Sequence, residues 1–263
     1  MSTLVSTETM TPLLSVIIPV YNEERRLPGS LAALQAFLSE RSELAEVIVV
    51  DDGSTDRTVA IAQAMIPAVT TICRPHRGKG SAVRAGVLAS RGRFVLITDA
   101  DLATPLVELD RLMAALDGVE GVAIASRALK DSVVQEDPLH RRLMGRVFNA
   151  VVQTLVLPGL QDTQCGFKLF AGDLARRVFD RARLDGFAFD VEVLLLSRRM
   201  GRPVVEVPVA WRAIPGSRVR AVRDSLAMLI DVLEIWSSAR RSTANDPAIA
   251  PDAAAQEVSI AGS

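Results

Sequence analysis

Residues 94–105 read FVLITDADLATP, a run of apolar, strand-forming residues that ends in two carboxylates, Asp99 and Asp101, one residue apart. Charges are costly to bury, so their place at the end of such a strand needs a reason. One reason is a polar strand end that passes into a turn. The other is that the two acids hold a divalent cation at the edge of a sheet. Working outward, similar short β-rich runs occur at 14–19 (LSVIIP), 46–51 (EVIVVD), 69–74 (VTTICR), 93–98 (RFVLIT) and 121–126 (GVAIAS). Helical patterns fill the gaps at about 24–40, 56–66, 79–90 and 105–117. This alternation predicts an α/β fold, a doubly wound, mostly parallel sheet flanked by helices. Beyond it the pattern predicts a longer helix at 138–157, a strand at 166–171, a helix at 188–200, a strand at 203–209 and a last helix at 220–239.

The chain has 263 residues, 49% of them apolar and 23% charged, which suits one folded domain over 13–239. Residues 1–12 read as a flexible N-terminus, and 240–263, rich in Ala, Pro, Ser and Asp, as a disordered tail. There is no internal repeat. No window approaches the roughly 18–20 apolar residues of a spanning helix, and the N-terminus lacks a basic-then-apolar leader. The expectation is a cytoplasmic protein. Cys73 and Cys165 lack metal-ligand spacing and read as ordinary reduced thiols. The formal net charge of −1 hides an asymmetry: residues 137–241 carry 17 Lys/Arg against 11 Asp/Glu. That excess is either a solvated face or a patch for an anionic partner.

In open α/β sheets the ligand lies outside the carboxyl ends of the strands. Those ends are unusually polar here: Pro19-Val20-Tyr21-Asn22-Glu23, Asp51-Asp52-Gly53-Ser54-Thr55-Asp56, Asp99-Ala100-Asp101 and Ser126-Arg127. Any one of them could be a helix cap, and Asp56 has good capping chemistry. Four on one edge point to a binding site.

The segments SVIIPVYNEE (15–24), VIVVDDGSTD (47–56), RGKGSAVRAG (77–86), DADLATP (99–105), ASR (125–127), DTQCGFKLF (162–170) and FAFDVEVL (187–194) together resemble the family 2 glycosyltransferases. Their later members are similar to the polyprenyl- and dolichyl-phosphate sugar synthases, the glucosyl-transferring branch above all. The resemblance implies the GT-A fold, with 13–127 as the nucleotide-sugar half and 128–239 as the acceptor half. It implies an inverting transfer of a sugar, glucose from UDP-glucose before mannose from GDP-mannose, to a polyprenyl phosphate. A soluble acceptor or a non-catalytic nucleotide-sugar binder are the alternatives. The cofactor expected is Mg²⁺ or Mn²⁺, held by Asp99 and Asp101 to stabilise the departing diphosphate.

By the same resemblance Pro19, Tyr21, Glu23 and Asp52 line the nucleoside pocket, with Ala100 beside the metal acids. Asp51 either contacts the base or braces its loop. Lys79, between Gly78 and Gly80, reaches a phosphate. Arg218 and Arg220 belong to a loop that closes on the diphosphate, or to a plain solvated loop. Asp162 and Gln164 lie near the sugar, and Asp190 and Glu192 serve there or are structural. A lipid phosphate is already an anion and needs cations rather than a base; Arg127 and Arg141 fit, with Arg142 an alternative. Catalysis thus falls to Asp101, Asp162 and Arg127. His76 and His140 read as incidental. The segments at 140–160 and 226–236 are either core helices or helices that lie on a membrane surface, which suggests peripheral attachment to the cytoplasmic face.

Overall fold

The computed structural model describes residues 11–65, 69–135, 139–214 and 221–242. Its main sheet has seven strands in the order β3-β2-β1-β4-β7-β5-β8. These are β1 (Leu14–Val20), β2 (Ala45–Asp51), β3 (Thr70–Cys73), β4 (Phe94–Ile97), β5 (Val122–Ser126), β7 (Lys168–Ala171) and β8 (Val204–Pro208). All are parallel except β7, which runs antiparallel between β4 and β5. A separate two-stranded ribbon pairs β6 (Val133–Gln135) with β9 (Ala210–Arg212).

Alternate residues of the buried strands feed two cores, one on each face, because successive side chains point to opposite sides. Ile17, Ile48, Val50, Val95 and Ile97 pack below the sheet against α3 (Lys79–Ala89), α6 (Gly172–Arg181) and α7 (Phe189–Arg199). Val16, Ile18, Val47, Val49 and Leu96 pack above it against α1 (Leu27–Ser39), α2 (Thr58–Met65) and α4 (Leu109–Ala115). Of the remaining described helices, α5 (Leu139–Leu155) packs against α8 (Ala221–Ser242).

The doubly wound sheet matches the expectation. Three elements do not appear in the sequence reading: α6, and the three-residue strands β6 and β9. The last helix also continues to Ser242, past the tail boundary expected at Arg240. Among the described residues no helix is long and apolar enough to cross a membrane.

The topology places the site. The chain winds outward from β1 through β2 to β3, then returns to the other side of β1 as β4, so the crevice opens at the carboxyl ends of β1 and β4. Because β7 is antiparallel, its amino end meets those carboxyl ends, with Lys168 registered against Ile97 and Ile124. The segment 162–167 just before β7 is thereby delivered to the same edge. So is Trp211 of β9, which follows the carboxyl end of β8.

Candidate active site

The loops after β1 and β2 are tied together. Asn22, in the left-handed region at φ 54°, accepts from the Thr55 N–H at 2.8 Å, and its own N–H donates to Ser54 Oγ at 2.7 Å. Asp56 accepts from the Thr58 N–H at 3.0 Å and so starts α2, as its capping chemistry foretold. Asp51 is buried and accepts from the N–H groups of Gly53 and Ser54, which braces its loop. Asp52 accepts from the N–H groups of Arg77 (3.0 Å) and Gly78 (2.9 Å), joining this loop to the start of α3.

His76, read from sequence as incidental, is part of this corner. Its Nδ1 lies 2.7 Å from Asp52 Oδ2, and its ring stacks on Tyr21 at 4.2 Å and 15°. The RGKG glycines also have a structural cause. A side chain on Gly78 (φ 132°) or Gly80 would collide with the carbonyls of Asp185 or Leu184, so the close approach they allow is to the loop before α7.

Asp99 and Asp101 sit at the switch point, just past the carboxyl end of β4. Lys79 Nζ lies 2.6 Å from Asp99 Oδ1. Burial pushes the Asp99 carboxyl up, but Lys79, with the charges of Lys168 and Arg127, holds the group below the usual range. Gly166 packs so closely on this carboxylate that an added Cβ would collide with it. Asp101 Oδ1 accepts from the Ala103 N–H at 3.2 Å, across Leu102 at φ 50°, an uncommon conformation for a bulky residue. Burial and the charge of Asp99 push the Asp101 carboxyl up.

Arg26, which the sequence reading passed over, bridges Glu23 and Asp101: its guanidinium holds Glu23 at 2.5 and 2.7 Å and lies 3.9 Å from Asp101. Ala100 is buried, and its carbonyl accepts from Ser30 Oγ at 2.6 Å. Pro19 pairs with Val50 within the sheet.

Across the crevice, Arg127 grips Asp162 with both prongs, Nε to Oδ2 at 2.7 Å and Nη2 to Oδ1 at 2.9 Å, and adds its backbone N–H at 2.9 Å. Asp162 is 2% exposed, and its carboxyl lies below the usual range because Arg127 outweighs the burial that pushes it up. Trp211, another residue the sequence reading missed, lies beneath the Arg127 guanidinium at 5.3 Å. The neighbouring Asp190 is buried against Lys168, itself 0% exposed; Lys168 Nζ donates to Asp190 at 2.6 Å and to the Cys165 carbonyl at 2.5 Å. Burial pushes the Asp190 carboxyl up, while Lys168 and Lys79 draw it back.

Glu192 accepts from the N–H groups of Arg183 and Leu184. Gln164 Nε2 is buried with no hydrogen-bond partner among the described residues. Lys79, Asp99, Asp101, Arg127, Asp162, Gln164 and Asp190 all line one open cavity of about 1080 Å³. Its further wall comes from α5, including Phe148 and Asn149, from the β6–β9 ribbon and from Met228 of α8. Arg218 and Arg220 lie outside the described residues, as do the side chains of His140, Arg141 and Arg142.

Asp99 and Asp101 suit a divalent cation in the nature of their atoms, since carboxylate oxygens are the ligands of Mg²⁺ and Mn²⁺. Among the described residues no cluster of three or more His, Cys, Asp or Glu could hold a metal. An ion at this pair would therefore draw its remaining ligands from substrate and water.

Solved structures share the architecture. Glucosyl-3-phosphoglycerate synthase from Mycobacterium tuberculosis, in complex with Mn²⁺, UDP-glucose and phosphoglyceric acid, superposes with a TM-score of 0.61 over 85% of this chain and 80% of its own, at 19% identity. The same enzyme with Mg²⁺ and UDP gives 0.63 at 20% identity, covering 84% and 79%. The strand order and these neighbours define the fold as GT-A. More narrowly, the chain belongs to glycosyl transferase family 2, which its residues 15–179 match. Its relatives include the dolichyl-phosphate beta-glucosyltransferase of Dictyostelium discoideum, 38% identical over 239 residues, covering 84% of this chain and 73% of that protein. The Homo sapiens protein of the same name is 36% identical over 246 residues, covering 86% and 75%.

Proposed function

We propose that this enzyme transfers glucose from UDP-glucose to the phosphate of a polyprenyl or dolichyl lipid, with inversion at the anomeric carbon and with Mg²⁺ or Mn²⁺ at Asp99 and Asp101. The names of the relatives supply the sugar and the acceptor class. The observation that carries the reading is the Arg127–Asp162 pair. A hydroxyl acceptor would require a carboxylate positioned to take its proton. The two acids nearest that task, Asp162 and Asp190, are each engaged by a cation, Arg127 and Lys168. A phosphate acceptor has no such proton to lose. It needs a cation to bring it beside the donor's own negative charge, and Arg127, 30% exposed along the cavity wall, offers one.

The other side chains take matching parts. Tyr21, with Pro19, Glu23 and Asp52 around it, receives the base, and Lys79 neutralises diphosphate charge. The unpartnered Gln164 Nε2 donates to a sugar hydroxyl. Asp162, kept ionised by Arg127, faces the anomeric carbon and stabilises positive charge there. When bound, the metal ion acts as a Lewis acid toward the leaving diphosphate. Arg141, Arg218 and Arg220 add positive charge to the acceptor and donor phosphates.

Membrane docking belongs to the same proposal. Val147 of α5 and Ile230 and Leu233 of α8 are exposed apolar residues on two helices that pack together, and Arg146 is exposed beside Val147. Such a face suits the headgroup region of an anionic bilayer, where a polyprenyl phosphate resides. The test of the acceptor chemistry compares a polyprenyl phosphate with the corresponding polyprenol. Transfer to the phosphate alone is expected; transfer to the alcohol would require a base and would refute this reading.

A further inference from the structure

We infer that Lys79 is a resident counter-ion that competes with the divalent cation for Asp99, so that metal and nucleotide diphosphate load together. The inference rests on the metal-and-diphosphate reading above and adds a role for Lys79 before any donor is present. Lys79 Nζ lies 2.6 Å from Asp99 Oδ1, a close charge-assisted contact. An ammonium so near occupies one oxygen of the acid and would repel a cation by its charge.

The Oδ2 side of the Asp99 carboxylate faces Gly166, where an added Cβ would collide with it, and the rest of the side chain, 38% exposed, opens to the cavity beside the ammonium. A cation that approaches Asp99 from the cavity therefore meets the Lys79 charge and must compete with it. Lys79 is only 18% exposed, so water gives the displaced ammonium little compensation. A diphosphate gives much more, since its oxygens can take over from Asp99 as partners of the ammonium. Asp190, in the wall of the same cavity, helps to retain the side chain there, as does the ring of Phe189, 6.0 Å from Nζ. In the absence of nucleotide the metal meets an occupied acid; in its presence the acid is released. The coupling is reciprocal, so the metal tightens diphosphate binding by the factor by which diphosphate tightens metal binding.

The test is equilibrium dialysis of the whole chain against Mn²⁺, with and without saturating UDP, corrected for Mn²⁺ that UDP holds in solution. It involves neither acceptor nor turnover. The wild type is expected to bind Mn²⁺ at least about tenfold more tightly with UDP than without it. Lys79→Gln, which keeps a similar length but loses the charge, should bind Mn²⁺ alone at least about tenfold more tightly than the wild type, and UDP should add less. Lys79→Arg keeps the charge and should match the wild type without UDP, which separates loss of charge from damage to the fold. If Lys79→Gln gains no Mn²⁺ affinity while the wild type binds Mn²⁺ with UDP, this inference alone falls. If none of the three proteins binds Mn²⁺ under either condition, the metal reading falls with it.

Discussion

Arg127→Ala tests whether the Arg127–Asp162 pair holds the site together as well as serving it. The two partners are unequal: Asp162 is 2% exposed, whereas the Arg127 side chain is 30% exposed. Removing the arginine strands an almost fully buried carboxylate with the backbone N–H groups of residue 127 and Gln164 as its remaining donors. Breaking a buried pair from one side costs about 3–5 kcal/mol. Water that reaches the partly exposed arginine position reduces this to about 2–3 kcal/mol. For a domain of this size that lowers Tm by about 5–10 °C. Asp162→Asn should cost less, because the cation it leaves behind is the more exposed partner.

The pH dependence has a definite sign. Arg127 keeps the wild-type Asp162 carboxyl below its usual value, so its contribution is present above the unfolded value of about 4 and is lost as pH falls through the folded one. Without Arg127 burial dominates and raises that carboxyl, so the variant loses stability as pH rises. The gap in Tm between wild type and Arg127→Ala should therefore be widest near pH 7 and narrow toward pH 4, as measured by calorimetry. An Arg127→Ala protein as stable as the wild type at pH 7, or a gap that widens on acidification, would refute the argument.

Asp101→Asn should slow sugar transfer at least about a hundredfold, roughly 2.7 kcal/mol, if the ion at this pair stabilises the leaving diphosphate; rates near wild type in excess Mn²⁺ would count against that role. Lys168→Met strands the buried Asp190 and should cost about 3–5 kcal/mol, seen as a Tm lower by about 10 °C. Ile230→Asp, at a 52% exposed position, should leave Tm within about 2 °C and weaken flotation with anionic vesicles at low salt; unchanged flotation would remove α8 from the docking face.

The parallel strands were legible because each is short, apolar and β-branched, and because polar residues follow it at once. The acids and glycines of the site were legible as clusters for the same reason. Strand direction was not: nothing local in KLFA (168–171) tells that β7 runs antiparallel, and its neighbours β4 and β5 are far away in sequence. The β6–β9 ribbon joins residues 133–135 to 210–212, a pairing too short and too distant to leave a pattern, and with it Trp211 escaped notice.

The α6 helix did leave a signal. Leu174, Ala175, Val178 and Phe179 form a buried stripe at helical spacing within GDLARRVFDR, and the many charges around it masked that stripe. Arg26 and His76 were hidden for another reason: beyond the local Arg26–Glu23 pair, the groups they meet at the site, Asp101 for Arg26 and Asp52 and Tyr21 for His76, lie on other loops and meet them only when the sheet forms.

The most direct test of the central claim is transfer of labelled sugar into an organic phase by the purified protein. Short polyprenyl phosphate and Mg²⁺ or Mn²⁺ are supplied, with UDP-glucose and GDP-mannose in separate reactions. Extractable label is expected from UDP-glucose alone. Label from GDP-mannose alone, or none from either donor while a water-soluble acceptor is glycosylated, would contradict it.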